Sequence, residues 1–301
     1  MGNALNLKKT SDNGLSFYRY VSALFLFLII INKSFAADSS VEEIVELSPL
    51  IDETSGLASH GDFIYTINDS GNSNSLHKLS REGEILNSIR IRNSENTDWE
   101  SLAQDEEFLY IADIGNNFNL RNTFIIYRVA WSELNELEAE AELIRFSYGD
   151  HSPGNMTSHN FDAEAISIRG DEIWLFSKNR GDGNTKLYRF PKIPGIYQTN
   201  PSQSLPVDSL VTGADINPDT GQLLLISTRL NSSERENFIW LIPTNEEGVD
   251  WDERQSMTIS PADQWEAILW SSPSNEVILT HENNVHGYAG LGRLTVKDLL
   301  Q

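Results

Sequence analysis

From residue 37 onward, short apolar runs rich in Ile, Val, Phe, Tyr and Trp alternate with clusters of Gly, Asn, Asp and Ser. Runs of this length, bounded by turn-forming residues, predict β-strands. Helical periodicity is scarce. The exception is WSELNELEAEAEL, residues 131–143, which fits either a short helix or an extended edge.

The predicted strands recur in a fixed order. SGLAS, beginning at Ser55, precedes DFIYTIND, SLHKLS and EILNSIRI; ESLAQ, beginning at Glu100, precedes FLYIAD, FIIYRV and ELIRFS. EAISI at Glu164 precedes EIWLFSK and KLYRF, and GADIN at Gly213 precedes QLLLIST, FIWLIP and SMTIS. EAILW at Glu266 precedes EVILTHE and GRLTV. The lead residues are 45, 64, 49 and 53 positions apart. That period suits one four-stranded blade of a β-propeller. The fifth unit lacks a fourth strand, while a spare one, EEIVELS at residues 42–48, precedes the first unit. Pairing the N-terminal strand with the last blade closes the ring and removes exposed sheet edges. The expectation is an all-β chain, a five-bladed propeller forming one domain over residues 37–301. Six blades is the rival, because the 64-residue interval holds an insertion around residues 149–160, although no sixth lead motif occurs there.

The first strand of each blade lines the channel of a propeller, so Ser55, Glu100, Glu164, Gly213 (with Thr212 beside it) and Glu266 are expected to converge. Two of these positions share a longer frame, DWESLA at 98–103 and QWEAIL at 264–269. Three crowded carboxylates repel one another unless a cation sits between them or some are protonated. Oxygen ligands without His or Cys select a hard cation, Ca2+, and disfavour zinc. The alternative is that the glutamates staple blades by accepting backbone N–H bonds. Trp99 and Trp265 read as inter-blade packing.

The second strand runs antiparallel to the first, so its end emerges on the rim occupied by the lead residues. The rim then carries Asn68 and Asp69, Asp113 and Asn116, Lys178 and Arg180, Thr228 and Arg229, and His281 and Glu282. Lys178, Arg180 and Arg229 are candidates for binding phosphate oxygens. Asp69, Asp113 and Glu282 are candidates for orienting or deprotonating a water. The competing reading gives strand-end Asp and Asn to turns and pairs the bases with the acids opposite.

Charge sharpens the picture. The 301 residues carry 44 acidic and 22 basic side chains, a net charge of −22, and no cysteine. Such a chain repels nucleic acid and anionic membrane surfaces and attracts cations. Its start is different: Lys8, Lys9 and Arg19 precede an apolar run at 21–31 and the small-residue sequence SFAA at 34–37. Residues 1–36 read as a signal peptide cut after Ala36, giving a secreted or periplasmic protein with no membrane insertion afterwards. HENNVH at 281–286 has its second His one residue too far for a zinc helix, and RGD at 180–182 reads as a turn. No nucleophile elbow, P-loop or dinucleotide fingerprint occurs.

The order Ser-Glu-Glu-(Ser-like)-Glu on five innermost strands resembles the calcium-activated nucleotidases, the animal apyrases. ETSGLASHGDFIYTIND is similar to their first blade, ESLAQDEEFLYIAD to the second, EAISIRGDEIWLFSKNR to the third and WEAI to the last. The resemblance implies a five-bladed propeller with calcium in its channel that hydrolyses nucleoside di- and triphosphates, with Ser55, Glu100, Glu164 and Glu266 as ligands. The fourth position departs, with Gly213 after Thr212 where a serine is expected. NDSGN, TDWESLA, YIADIGNN, DAEAISI and VTGADINP also resemble a group of secreted bacterial proteins without an established activity, which supports the fold and leaves the substrate open. The expected function is a calcium-binding propeller hydrolysing phosphoanhydrides or phosphate esters at the channel mouth. Two alternatives stand beside it: a non-catalytic propeller with structural calcium that binds a protein or glycan, and a lactonase-like metal esterase, a chemistry usual on six blades.

Overall fold

The computed structural model describes residues 38–295, apart from 135–136, 153, 155, 157, 232–233, 272–275 and 284–286. The segment 1–36, expected to be a leader, and His286 of HENNVH lie outside the described residues. Five sheets are present, and the innermost strand of each packs on that of the next, the last against the first. The chain is a five-bladed β-propeller, as the spacing predicts.

Blade one runs outward from Thr54–His60 through Phe63–Asn68 and Ser75–Leu79 to Ile85–Arg92. Blade two comprises Trp99–Gln104, Phe108–Asp113, Phe124–Ala130 and Glu142–Tyr148. Blade three comprises Asp162–Arg169, Glu172–Lys178, Thr185–Pro191 and Pro201–Leu205. Blade four comprises Leu210–Ile216, Gln222–Leu230, Arg235–Pro243 and Gln255–Ser260. Blade five takes Trp265–Ser271, Glu276–His281 and Gly290–Thr295 from one end of the described chain and Glu42–Glu46 from the other. That antiparallel pairing is the expected N-terminal closure.

Three blades carry a fifth, parallel strand that the repeat does not announce. Glu138–Glu140 pairs with blade one, Gly195–Thr199 with blade two and Asp38–Ser40 with blade four. Each lap is made by chain on its way to the outer strand of the following blade. The ambiguous segment at 131–143 resolves here into one 3-10 turn, Trp131–Glu133, and an extended edge. Its register follows charge: Glu138 lies opposite Arg90 and Glu140 opposite Arg92, with Ala139 buried between them. This excursion, together with the 149–160 connection, accounts for the long second interval without a sixth blade.

The core is divided by the blades. One apolar cluster lies between blades one and two, with Ile67, Ile89, Trp99 and Ile111 among its members. Similar slabs fill the four other junctions. Strand faces are apolar on both sides because each sheet is packed from both sides, which is why the strands read as near-continuous hydrophobic runs.

Near the axis the innermost strands are laced by side chains. Ser101 Oγ accepts from Ile166 N at 3.2 Å, Ser167 Oγ from Ile216 N at 2.9 Å and Asp215 Oδ2 from Trp270 N at 2.9 Å. In the opposite sense, Ser55 Oγ donates to Glu100 O at 3.2 Å and Thr212 Oγ1 to Trp265 O at 2.8 Å. Each bond satisfies a backbone group facing the neighbouring blade. Such lacing needs close approach: a Cβ on Gly56 would lie 2.6 Å from Leu102 N. Gly56→Val is therefore expected to cost roughly 1–3 kcal/mol, lowering Tm by about 3–10 °C. An unchanged melt by circular dichroism would mean that blades one and two do not meet there.

Candidate functional site

In all five blades the ladder between the first and second strands slips by one residue at the same place. The pairing jumps from Thr54 to Gly56, Trp99 to Ser101, Ala163 to Ala165, Val211 to Gly213 and Trp265 to Ala267. The extra residues are Ser55, Glu100, Glu164, Thr212 and Glu266. A β-bulge leaves its extra residue outside the ladder and re-aims its side chain. Here the lead side chains of four blades, Glu100, Glu164, Thr212 and Glu266, turn onto one cavity, and the Ser55 hydroxyl lies 3.3 Å from Glu100 Oε2.

The bulge corrects one expectation. Thr212, not Gly213, is the fourth lead residue; Gly213 is the following position, where a Cβ would stand 3.1 Å from Glu266 O and 3.2 Å from Ala267 Cα. It is small so that blade five can approach, as Gly56 is for blade two.

The repeated Trp-Glu pair has a divided purpose. Trp99 Nε1 donates to Glu95 O at 2.9 Å, and Trp265 Nε1 donates to Pro261 O at 3.1 Å. Each fully buried indole thus fastens the incoming loop four residues back, while the following glutamate bulges toward the axis.

The cavity at the channel mouth has a volume of about 270 Å³. Asp69, Glu100, Glu164, Glu266 and Glu282 line it, with Lys178, Arg180 and Arg235 as its basic residues. Lys178 Nζ is ion-paired with Glu164 Oε2. Arg180 Nε donates to Asp162 Oδ2 at 2.7 Å, and its Nη2 lies 3.7 Å from Glu164 Oε1. Gln264 Nε2 donates to Glu282 Oε2. The Glu266 carboxylate has neither hydrogen bond nor ion pair with the described residues. On the blade-two side, carboxylate oxygens of Asp69, Asp98 and Glu100 lie within 4.8 Å of one another. Gly115 permits this, because a Cβ there would collide with both Asp98 and Glu100.

Crowded acids out of water hold their protons. Burial, reinforced by Glu164 and Asp69, keeps Glu100 well above the usual carboxyl range. Burial does the same to Glu266 against the opposing field of Lys178. Asp98 is pushed up to about 7 by burial and by Asp69, with Arg121 opposing. Glu282 is pushed up to about 8 by burial, Asp69 and Glu164. Lys178 behaves oppositely: burial would lower it, but Glu164, Glu266 and Asp162 raise it, so it remains a firm cation. An all-oxygen donor set, one member of which is a buried carboxylate without a hydrogen bond or ion pair among the described residues, fits a hard cation such as calcium.

Of the candidate residues, Asp69, Glu282, Lys178 and Arg180 line the cavity together with Glu100, Glu164, Thr212 and Glu266. Asp113, Arg229, Gly213 and Ser55 are not in its lining, although the Ser55 hydroxyl reaches Glu100 Oε2. Asp113 is buried against Arg121, Oδ1 to Nη2 at 2.6 Å, and accepts from Thr97 N. Arg229 turns away to Asp208, donating to its carbonyl at 2.9 Å and its carboxylate at 3.1 Å, and Arg235 stands in the wall instead. Sequence reasoning missed Asp98, Asp162 and Gln264. A signal was present, since each lies two residues before a lead glutamate, the spacing that returns a strand side chain to the same face. They are the first letters of DWE, DAE and QWE.

No protein-family model and no curated protein matches the chain. Among solved structures, Kuenenia stuttgartiensis hydrazine synthase is 12% identical with a TM-score of 0.39, over 78% of this chain and 66% of that one. A chain of a nidogen/laminin complex is 14% identical with a TM-score of 0.40, over 76% of this chain and 75% of that one. This chain thus spans about two thirds of the hydrazine synthase chain. Neither likeness bears on what this chain does.

The raised carboxyls dictate a pH dependence. Asp98, Glu282 and the interior Asp215, which burial pushes up to about 7, all bind protons more tightly folded than unfolded. Their contribution is complete below the ordinary carboxyl range near 4 and is lost as pH rises through 7 to 8. In chelator, Tm is expected to fall between pH 5 and pH 8.5, and Asp215→Asn, remote from the cavity, should reduce the fall. A flat profile would show that these carboxylates are ionised at no cost.

Proposed function

We propose that the chain is a secreted or periplasmic propeller that holds calcium where its bulged residues converge and hydrolyses phosphoanhydrides or phosphate esters at the channel mouth. The chief support is the convergence of Glu100, Glu164 and Glu266, from three blades, on one cavity with Lys178 and Arg180 in its wall. The ligand set is Ser55, Glu100, Glu164, Thr212 and Glu266. The fourth position supplies a hydroxyl, as the resemblance to calcium-activated nucleotidases asks, and both hydroxyls keep lone pairs while donating to backbone carbonyls. A bound calcium would supply charge to offset that of a phosphate group. Lys178 and Arg180 grip phosphate oxygens and hold them in register. Glu282, once ionised, and Asp69 orient a water and take its proton.

One observation favours a non-catalytic propeller that binds a protein or glycan. Lys178 and Arg180 are already committed to Glu164 and Asp162, while Leu230, the last residue of a strand in the cavity wall, and Phe118 and Leu120, in the loop that follows Asn117 of that wall, are exposed. The metal-esterase alternative loses its premise with a ring of five blades.

Calcium at a hundred times its dissociation constant is expected to stabilise the mature protein by about 2.7 kcal/mol, a rise in Tm of several degrees over chelator. Glu266→Gln should abolish the rise. Calcium-dependent phosphate release from a nucleoside diphosphate, lowered at least tenfold by Arg180→Ala, would support the hydrolase. A calcium shift without turnover would favour the binding protein, and no shift at all would remove the cation from both readings.

A further inference from the structure

At the end of the second strand, the five blades place Asn68, Asp113, Lys178, Thr228 and His281 opposite the residue next to the bulge or one before it. Only blade three puts a lysine there. Its side chain is 10% exposed, and its ammonium rests on Glu164, one of the converging carboxylates. Glu266 is 8% exposed, lines the same cavity and has neither hydrogen bond nor ion pair with the described residues. Ionised, a carboxyl group so buried is costly unless a positive charge is near. The group that fills this need within the chain is the Lys178 ammonium, whose field acts on Glu164 and Glu266 together.

We infer that Lys178 is the resident counter-cation of the channel site, and that a divalent cation enters by exchanging with its ammonium rather than by filling a vacant position. This rests on the reading that the converging carboxylates hold a cation, and it concerns what holds them beforehand. The exchange is sterically simple. A lysine has a flexible four-carbon stem and a compact charge. The ammonium can leave Glu164 without leaving the cavity, because Asp69 and Glu282 line the same space and already lie within its field. Glu164 and Glu266 then become free for the incoming ion. The lysine thus keeps the acids folded in the absence of metal and lowers the apparent affinity for metal by competing for the same oxygens.

The test is calcium titration by calorimetry, with Tm in chelator and in calcium, on the mature protein and on Lys178→Met, Lys178→Gln and Lys178→Arg. Both neutral variants are expected to melt lower in chelator, to recover in calcium and to bind calcium at least tenfold more tightly than wild type. Lys178→Arg, which keeps the charge, should show no gain. If Lys178→Met does not fold without metal, Lys178→Gln carries the measurement. Calcium binding by a neutral variant but not by wild type would support the exchange while ending the native calcium reading. Wild-type binding with no gain in either neutral variant would overturn the exchange and leave that reading standing. Binding by none of the proteins would overturn both.

Discussion

Five sheets standing radially about one line must bring their innermost strands together, and everything at the channel follows from that convergence. Neighbouring first strands belong to different sheets, so the backbone groups that face across the junction need partners from elsewhere. Ser55, Ser101, Ser167, Thr212 and Asp215 supply them, and Gly56 and Gly213 keep the gap small enough to be bridged. At the mouth the same convergence forces carboxylates together. The bulge determines which ones, by lifting one residue per blade out of the ladder and turning it inward.

The positions around each bulge divide the labour. The bulged residue presents an oxygen. The residue before it anchors the loop where it is tryptophan, through its indole N–H. The residue two before it adds a second tier, with Asp98, Asp162 and Gln264 holding or crowding their neighbours. Charge balance within this tier is local and uneven. Blade three places Lys178 and Arg180 against Glu164 and Asp162, whereas blade two crowds Asp98 and Glu100 beside Asp69 over Gly115, with the Ser55 hydroxyl at Glu100 and the field of Arg121 at Asp98. The site is therefore polarised across the channel instead of being symmetric about it.

What the sequence disclosed and what it hid separate along a physical line. The blade period, the closing strand and the rim position of Asp69, Lys178 and Glu282 follow from alternation and antiparallel pairing, which a single chain displays in its own order. Thr212 was obscured because a bulge adds a residue without altering the apolar pattern, so counting from Gly213 looked equally sound. Asp113 and Arg229 were misplaced because their orientations are set by Arg121 and Asp208, partners from loops whose approach no strand pattern encodes. The lapped strands were hidden for the same reason. EAEAE reads as a helix or an edge until Arg90 and Arg92 are seen opposite it.

Those laps have a mechanical corollary. Among the described residues they bind blade one to two, two to three and four to five, whereas no strand crosses from three to four or from five to one. Those two seams are spanned instead by side chains: Gln203 exchanges hydrogen bonds with the backbone of Val249 at one, and Arg81 reaches Ser271 at the other. Strand pairing thus ties the ring into two arcs, blades one to three and blades four to five, which side-chain packing joins at the two remaining seams. Ser55, Glu100, Glu164 and Lys178 ride on the larger arc, and Thr212 and Glu266 on the smaller. Whatever bridges Glu164 and Glu266 therefore also fastens one arc to the other.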